Sequence, residues 1–178
     1  MESGVDNTPL PSEPKSDPIQ TPSQLVAAFA REHSDWVKSV IEAHGEVTVV
    51  VPREHIVDAC AFLKSWPEAQ LDFLADLCAA DRGPEEEPRF EVNYHLFSTT
   101  KYHRIRLKVL LNEEDPHVPT VTTIWRTANW HERETYDLFG VIFDGHPDLR
   151  RILLPEDWQG HALRKDFPLR GYEPYSLK

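Results

Sequence analysis

Two strings of alternating apolar and polar residues, FEVNYHLFS and HRIRLKVLL, limit what this chain can become. Phe90, Val92, Tyr94 and Leu96 share one side of the first, and Ile105, Leu107, Val109 and Leu111 share one side of the second. A period of two belongs to a strand with one buried face. A short connection around TTKY separates the strings, so an antiparallel hairpin is predicted. A hairpin cannot shelter its apolar face alone and needs further elements against it. Its polar face carries both signs of charge and reads as solvated or partner-facing.

The flanking sequence supplies those elements. At 178 residues the chain fits one domain with appendages. Residues 1–22, rich in Pro, Ser, Asp and Glu, read as a disordered arm. Ser23 is a cap candidate for a helix bearing Leu25, Val26, Phe29 and Ala30. Asp35 to Ala43 reads as a second helix, with Trp36, Val37, Val40 and Ile41, ended by Gly45. A strand follows at Val47 to Val51, closed by Pro52. REHIVDACAFLKSW is an amphipathic helix with Ile56, Ala59, Cys60 and Leu63 on one stripe, stopped by Pro67. LDFLADLCAAD permits a helix, or a strand alternating at Leu71, Phe73 and Ala75. GPEEEP (83–88) is a charged turn, and EEDPHVPTV a proline-broken connection.

TANWHERETYDLFG reads as a helix capped by Thr127 or Asn129, with Glu132 and Glu134 near its positive end and Gly140 past its C-terminus. VIF is a brief strand. From His146 onward prolines, glycines and charges follow without a long period, an irregular tail ordered only by whatever holds it. The expected fold class is α+β: a mainly antiparallel sheet with helices packed on one face, spanning 23–145. A disordered N-terminal arm (1–22) precedes it, and an extended C-terminal partner-binding strap (146–178) follows.

Charge and cysteine content exclude several functions. Residues 1–88 carry 6 Lys/Arg and 17 Asp/Glu, a balance of −11, whereas residues 89–178 carry 13 of each. An acidic front does not suit a nucleic-acid phosphate backbone. Cys60 and Cys78 are the two cysteines, too few for an iron–sulfur cluster, which needs about four thiolates. The N-terminus has neither the basic start nor the apolar core of a signal peptide. No apolar run approaches the ~20 residues of a membrane span. A soluble chain with two reduced thiols is expected, associated with a membrane only through a partner.

The densest chemistry runs from His131 to Trp158: HERETYDLFGVIFDGHPDLRRILLPEDW. A zinc-protease helix would need His–Glu–x–x–His, but Thr135 follows His131 at the fourth position. His131, Glu134 and a distant histidine are the remaining metal candidates, and no metal is expected. Glu134 and Asp137 share a helix stripe with Trp130 and could divide acid and base roles. Arg133, Arg150 and Arg151 lie close in sequence and favour ionised carboxylates over poised ones. Carboxylates on a buried stripe must be paired, here by the Arg150–Arg151 pair or by another protein chain. Docking and an intrachain ion-pair network are equally compatible with these residues.

Glu132-Arg133-Glu134, then Asp137-Leu138-Phe139, His146, Arg150 and Ile152-Leu153 stand at a spacing that resembles the signature of the 30 kDa subunit of respiratory complex I. In bacteria that family is the C-type subunit of NADH–quinone oxidoreductase. LLPEDWQGHALRKDFPL resembles its C-terminal segment, with Ala162 where the family has proline. That departure removes a backbone restraint but no charge. The resemblance covers roughly residues 45–170.

The resemblance implies an accessory subunit in the hydrophilic arm, peripheral on the cytoplasmic side of a bacterial membrane. It implies no cofactor in this chain, with FMN and iron–sulfur clusters in partner subunits. Its chief partner would be the 49 kDa, D-type subunit, beside the neighbouring iron–sulfur subunits. The assembly passes electrons from NADH to a quinone and translocates protons; this chain would scaffold the quinone-reducing module.

The residues expected at partner contacts are Glu132, Arg133, Glu134, Asp137, His146, Arg150, Arg151, Trp158, Arg164, Lys165 and Asp166. Leu153, Leu154, Trp158, Leu163, Phe167 and Leu169 are spaced as apolar anchors, and Pro155 and Pro168 restrict the free strap. The helix bearing Glu132 to Asp137 is expected to pin the start of the strap. Charge reversal at Arg150 or Arg151 should then weaken assembly without unfolding the domain. Two rival classes stand beside this reading. One is a homologous subunit of a membrane-bound hydrogenase or the photosynthetic relative of complex I. The other is a free-standing enzyme using the Glu/Asp/His cluster.

Overall fold

The computed structural model describes residues 21–171, and within it the predicted hairpin forms the centre of a five-stranded sheet. Strands β4 (Phe90–Phe97) and β5 (Arg104–Leu111) pair antiparallel, with Tyr94 opposite Leu107 and Leu96 opposite Ile105. All eight predicted inward residues are buried. Each such side chain contributes about 1.5–3 kcal/mol of burial. Around the hairpin stand β1 (Ser39–Ala43), β2 (Glu46–Val50) and β3 (Phe73–Asp81), in the order β1-β2-β5-β4-β3. The pairing of β2 with β5 is parallel and the other three are antiparallel.

The first helix starts earlier than expected. Helix α1 (Pro22–Glu32) is capped by Thr21, whose hydroxyl accepts the Gln24 N–H at 3.2 Å. The Gln24 side chain reciprocates on the Thr21 N–H at 3.1 Å, completing a capping box. Ser23 therefore lies inside the first turn, and Thr21 and Pro22 belong to the domain. The rest of the predicted arm, residues 1–20, lies outside the described residues.

The predicted helix over Asp35 to Ala43 is instead a single tight turn at Ser34–Trp36 followed by strand β1. Val40 and Ile41 are 42% and 47% exposed on that edge strand. His44 and Gly45 both have positive φ, 54° and 79°, and link Ala43 to Glu46 as a two-residue hairpin turn. That backbone matches strand twist and needs left-handed residues. Gly45 closes a hairpin here, not a helix, and β-branched Val40 and Ile41 suit the strand.

Helix α2 (Ile56–Ser65) buries Ile56, Ala59, Cys60 and Leu63 as predicted. The ambiguous segment resolves as β3, with Leu74 and Leu77 inward. Phe73 and Ala75, expected on the alternating apolar face, point outward around inward Leu74, and the bulge between Leu74 and Asp76 makes Leu77 the next inward residue. The proline-broken connection contains β6 (His117–Pro119), which pairs in parallel with β7 (Ile142–Asp144), the predicted VIF strand.

Helix α3 (Ala128–Phe139) begins after Thr127, which makes no side-chain cap, and ends at Gly140 with φ of 76°. It buries Ala128, Glu132, Thr135 and Asp137, while Trp130 is 62% exposed. The expected stripe of Trp130, Glu134 and Asp137 is therefore wrong: the helix turns two carboxylates inward and its tryptophan out. The helices and the inner face of the sheet share one continuous apolar core. Beyond β7 the described chain has no helix or strand, as expected. No described helix is long and apolar enough to cross a membrane.

Candidate functional site

The domain's own charged groups fasten the C-terminal strap at two points. The first is Asp137, whose side chain is fully buried near the end of α3. Its Oδ2 accepts the successive backbone N–H groups of Ile152, Leu153 and Leu154 at 3.0, 2.8 and 2.9 Å. Its Oδ1 accepts the Arg151 guanidinium at 2.6 Å. Burial by itself would raise this carboxyl's pKa, but these donors outweigh it and hold the group below its ordinary value. The turn at 152–154 is thus an anion-binding nest filled by the helix's own aspartate.

Arg151 then spans the strap, donating to the carbonyls of Asp137, Trp158 and Gly160 at 3.0, 3.1 and 2.9 Å. Arg133 donates to the carbonyls of Arg150 and Arg151 at 3.2 and 3.1 Å, with its guanidinium 5.5 Å from the Trp130 ring. The last carbonyls of α3, which no helical N–H can reach, take the rest of the strap. His161 Nδ1 donates to Asp137, the Leu163 N–H to Leu138, and Arg164 Nε to Phe139, at 3.0, 3.0 and 2.6 Å. Cations there also complement the negative end of the helix dipole. A Cβ at position 140 would come within 2.6 Å of both Arg164 and His161. Glycine is required at 140 by the left-handed turn and by this close approach.

The second point is Arg89, also buried. It holds Asp81 with two hydrogen bonds of 3.0 and 2.9 Å, Glu113 at 2.6 Å, and Asp166 of the strap at 2.6 Å. Asp81 additionally accepts the backbone N–H groups of Lys165 and Gly83 at 2.7 and 2.9 Å. Burial opposes the Asp81 charge, yet Arg89 and these N–H groups bring its pKa down to about 2. Its three carboxylates, Asp81 foremost, raise the pKa of Arg89. Asp81, Arg89, Glu113 and His161 were not among the sequence-predicted site residues. The trace they leave in the sequence is that Asp81 and Arg89 flank the charged turn at 83–88.

Glu132 behaves differently. Fully buried, it accepts the Thr120 hydroxyl at 2.5 Å and the Val121 N–H at 2.8 Å, tying α3 to the loop after β6. No arginine among the described residues reaches it, and burial raises its pKa to about 7 despite those two bonds. The expectation that arginines keep the segment's acids ionised fails at this residue. The buried His146 ring lies 4.0 Å away. Its Nε2 faces the Asn129 carbonyl at 3.2 Å while Nδ1 accepts the Asp148 N–H at 3.0 Å. Burial also lowers the His146 pKa, so it stands as a neutral spacer beside Glu132. With both side chains enclosed, this pair offers no surface to a substrate.

Of the eleven residues predicted at partner contacts, Glu132, Arg133, Asp137, His146, Arg151, Arg164, Lys165 and Asp166 make bonds within this chain. Trp158 stacks on Phe167 with ring centroids 6.2 Å apart. Arg150, 61% exposed, bonds to Asp148 at 2.9 Å, and Glu134 is exposed. Among the predicted anchors Leu153, Leu163 and Leu169 face outward, while Leu154, Trp158 and Phe167 are half-buried. Residues 172–178 of the predicted strap lie outside the described residues. Apart from these contacts, Asp76, Cys78 and His95 form a cluster of metal-ligating types on the sheet.

The family model for the 30 kDa subunit of respiratory-chain NADH dehydrogenase matches residues 49–173, which include both fastening points. The chain belongs to this family. The second C-type subunit of NADH-quinone oxidoreductase from Rhizobium meliloti (strain 1021) is 54% identical over 137 residues, covering 77% of this chain and 74% of that one. The C-type subunit of the Geobacter sulfurreducens enzyme is 50% identical over 155 residues, covering 86% and 94%. Among solved structures, the trypsin-resistant fragment of Nqo5 matches with a TM-score of 0.63 and 36% identity, over 72% of this chain and all of that one. A chain of an archaeal membrane-bound sulfane sulfur reductase shares the fold, with a TM-score of 0.67 at 22% identity over 83% and 86%. The two bacterial relatives are subunits of complex I. Of the residues that carry the family resemblance, Arg133, Asp137, Leu138, Phe139, Arg150, Ile152 and Leu153 build the fastening of helix to strap, while Glu132 ties the helix to the loop after β6.

Proposed function

We propose that this chain is an accessory subunit of the peripheral arm of proton-translocating NADH:quinone oxidoreductase, scaffolding the quinone-reducing module by docking on the 49 kDa, D-type subunit. In this reading it performs no catalysis and carries no redox cofactor; FMN and the iron–sulfur clusters belong to partner subunits. It meets the membrane only through the complex, on the cytoplasmic side. The observation that carries the reading is the strap itself. Asp137 and Arg89 fasten it, yet Leu153, Leu163 and Leu169 face outward along it.

A strap ordered in advance lowers the cost of docking. Ordering free chain costs about 1–2 kcal/mol per residue in backbone entropy, and here folding of the domain meets that cost. What is left for a partner is apolar anchoring by the outward leucines, with charges such as Arg150 and Glu134 setting register.

The experiment is co-expression with the neighbouring subunits of the complex, followed by purification through this chain. Leu153→Asp with Leu163→Asp should abolish co-purification of the 49 kDa partner while leaving the melting temperature of the isolated chain unchanged. Recovery of that partner at wild-type yield would overturn the docking surface. Recovery of hydrogenase subunits, or of a photosynthetic complex, would move the chain to a related machine. Arg151 is not a clean probe of assembly, because its guanidinium holds the strap together internally.

A further inference from the structure

The polar face of the sheet carries a second, separate constellation. Asp76 and Cys78 stand two apart on β3, and His95 is the β4 partner of Asp76. One ligand atom from each lies within 4.8 Å of the others. From α3, alongside this sheet edge, His131 brings Nδ1 to 3.5 Å from Asp76 Oδ1. Sequence spacing could not reveal this group. Asp76 and His95 are nineteen positions apart, and the bulge between Leu74 and Asp76 sets which residues of β3 face outward.

We propose that Asp76, Cys78, His95 and His131 form a binding site for a borderline divalent transition ion, Zn²⁺ in kind. A thiolate, two imidazoles and a carboxylate are the ligands such an ion selects, whereas Mg²⁺ and Ca²⁺ demand oxygen donors throughout. Tetrahedral bonds of about 2.0–2.3 Å place ligand atoms about 3.5 Å apart. The spread of the Asp76, Cys78 and His95 atoms therefore closes by side-chain rotation of roughly 1 Å on a backbone already fixed by strand pairing, and His131, in contact with Asp76, completes the set by a further rotation from α3. The ion would replace the contact between the Cys78 thiol and Asp76. Arg106 and Arg104 oppose a cation here, but Arg106 is turned away onto Glu46 and Thr48. Zn²⁺ has no redox chemistry, so it would brace the β3–α3 contact without joining electron transfer.

The test is a titration of the reduced, tag-free full chain with Co²⁺, followed through its visible ligand-field bands and its thiolate-to-cobalt charge-transfer band. The expected result is saturation at one equivalent and loss of both signals on adding one equivalent of Zn²⁺. Cys78→Ser should remove the charge-transfer band, and His95→Gln should weaken binding at least tenfold, about the loss that even outer-shell changes cause. Zn²⁺ should raise the melting temperature of the wild-type chain and not that of Cys78→Ser, by mass action on the folded state. Binding without saturation, or a charge-transfer band that survives Cys78→Ser and disappears in Cys60→Ser, would overturn the site.

Discussion

Glu132 and Asp137 sit five residues apart on one helix, both fully buried, and their electrostatics are opposite. Asp137 receives three backbone N–H groups and a guanidinium, and its charge is held. Glu132 receives one hydroxyl and one N–H, and its pKa climbs to about 7. Burial penalises both charges alike; the number and charge of the donors decide which survives. The carboxylate of Asp137 is a permanent anchor for the strap. That of Glu132 is a joint whose charge titrates near neutrality.

Three measurements put this contrast at risk. The largest effect is expected from Asp137→Ala, which strands Arg151 and three strap N–H groups. Breaking a buried pair in this way costs about 3–5 kcal/mol. Urea unfolding should show that loss, and limited proteolysis should cut near 150–155 faster than in the wild-type chain. A variant as stable and as resistant as wild type would mean that the strap is held elsewhere.

The next effect is the pH dependence of Glu132. Its pKa rises from 4.5 in the unfolded chain to about 7 in the fold. The folded state therefore binds the proton more tightly, and stability falls as pH rises through that window. Fully expressed, the shift amounts to about 3 kcal/mol. Glu132→Gln should flatten the stability profile between those limits and exceed wild type above pH 7. Asp137 runs the other way: its depressed pKa adds stability above the ordinary aspartate range, lost as acid protonates it. A Glu132→Gln profile parallel to wild type would remove Glu132 as the titrating joint.

The smallest effect is expected at Arg150. Its guanidinium is exposed and pairs with the equally exposed Asp148, so Arg150→Glu should change stability of the isolated chain by less than about 1 kcal/mol. Its neighbour Arg151, with four bonds into the helix and strap, should cost several times more when reversed. Equal losses at the two positions would contradict the division between inward and outward arginines.

Legibility followed the range of the interactions. The hairpin was readable because eight alternating residues need only their own period to declare a buried face. The helix at 128–139 was readable from its length and Gly140, yet its orientation was not. Placing Trp130, Glu134 and Asp137 on one stripe starts from the tryptophan as the buried residue, whereas Asp137 and Glu132 take the inward face because loops that the helix itself does not contain satisfy them. Strand β1 was misread because Gly45 suits a helix end and a left-handed hairpin turn equally. Pairing with β2 chose between them. The Arg89 cluster was missed because its carboxylates lie 8, 24 and 77 positions away.

The alternation of the central hairpin, the glycine that ends α3, and the spaced residues that mark the family are already complete in the order of the amino acids. Each depends on local sterics or on residue order, and both travel with the chain. Which carboxylate stays charged, whether the strap is free or fastened, and which ligands meet across β3, β4 and α3 come into being with the fold. Those outcomes depend on desolvation and on donors brought from far along the chain, and neither exists until the chain has folded.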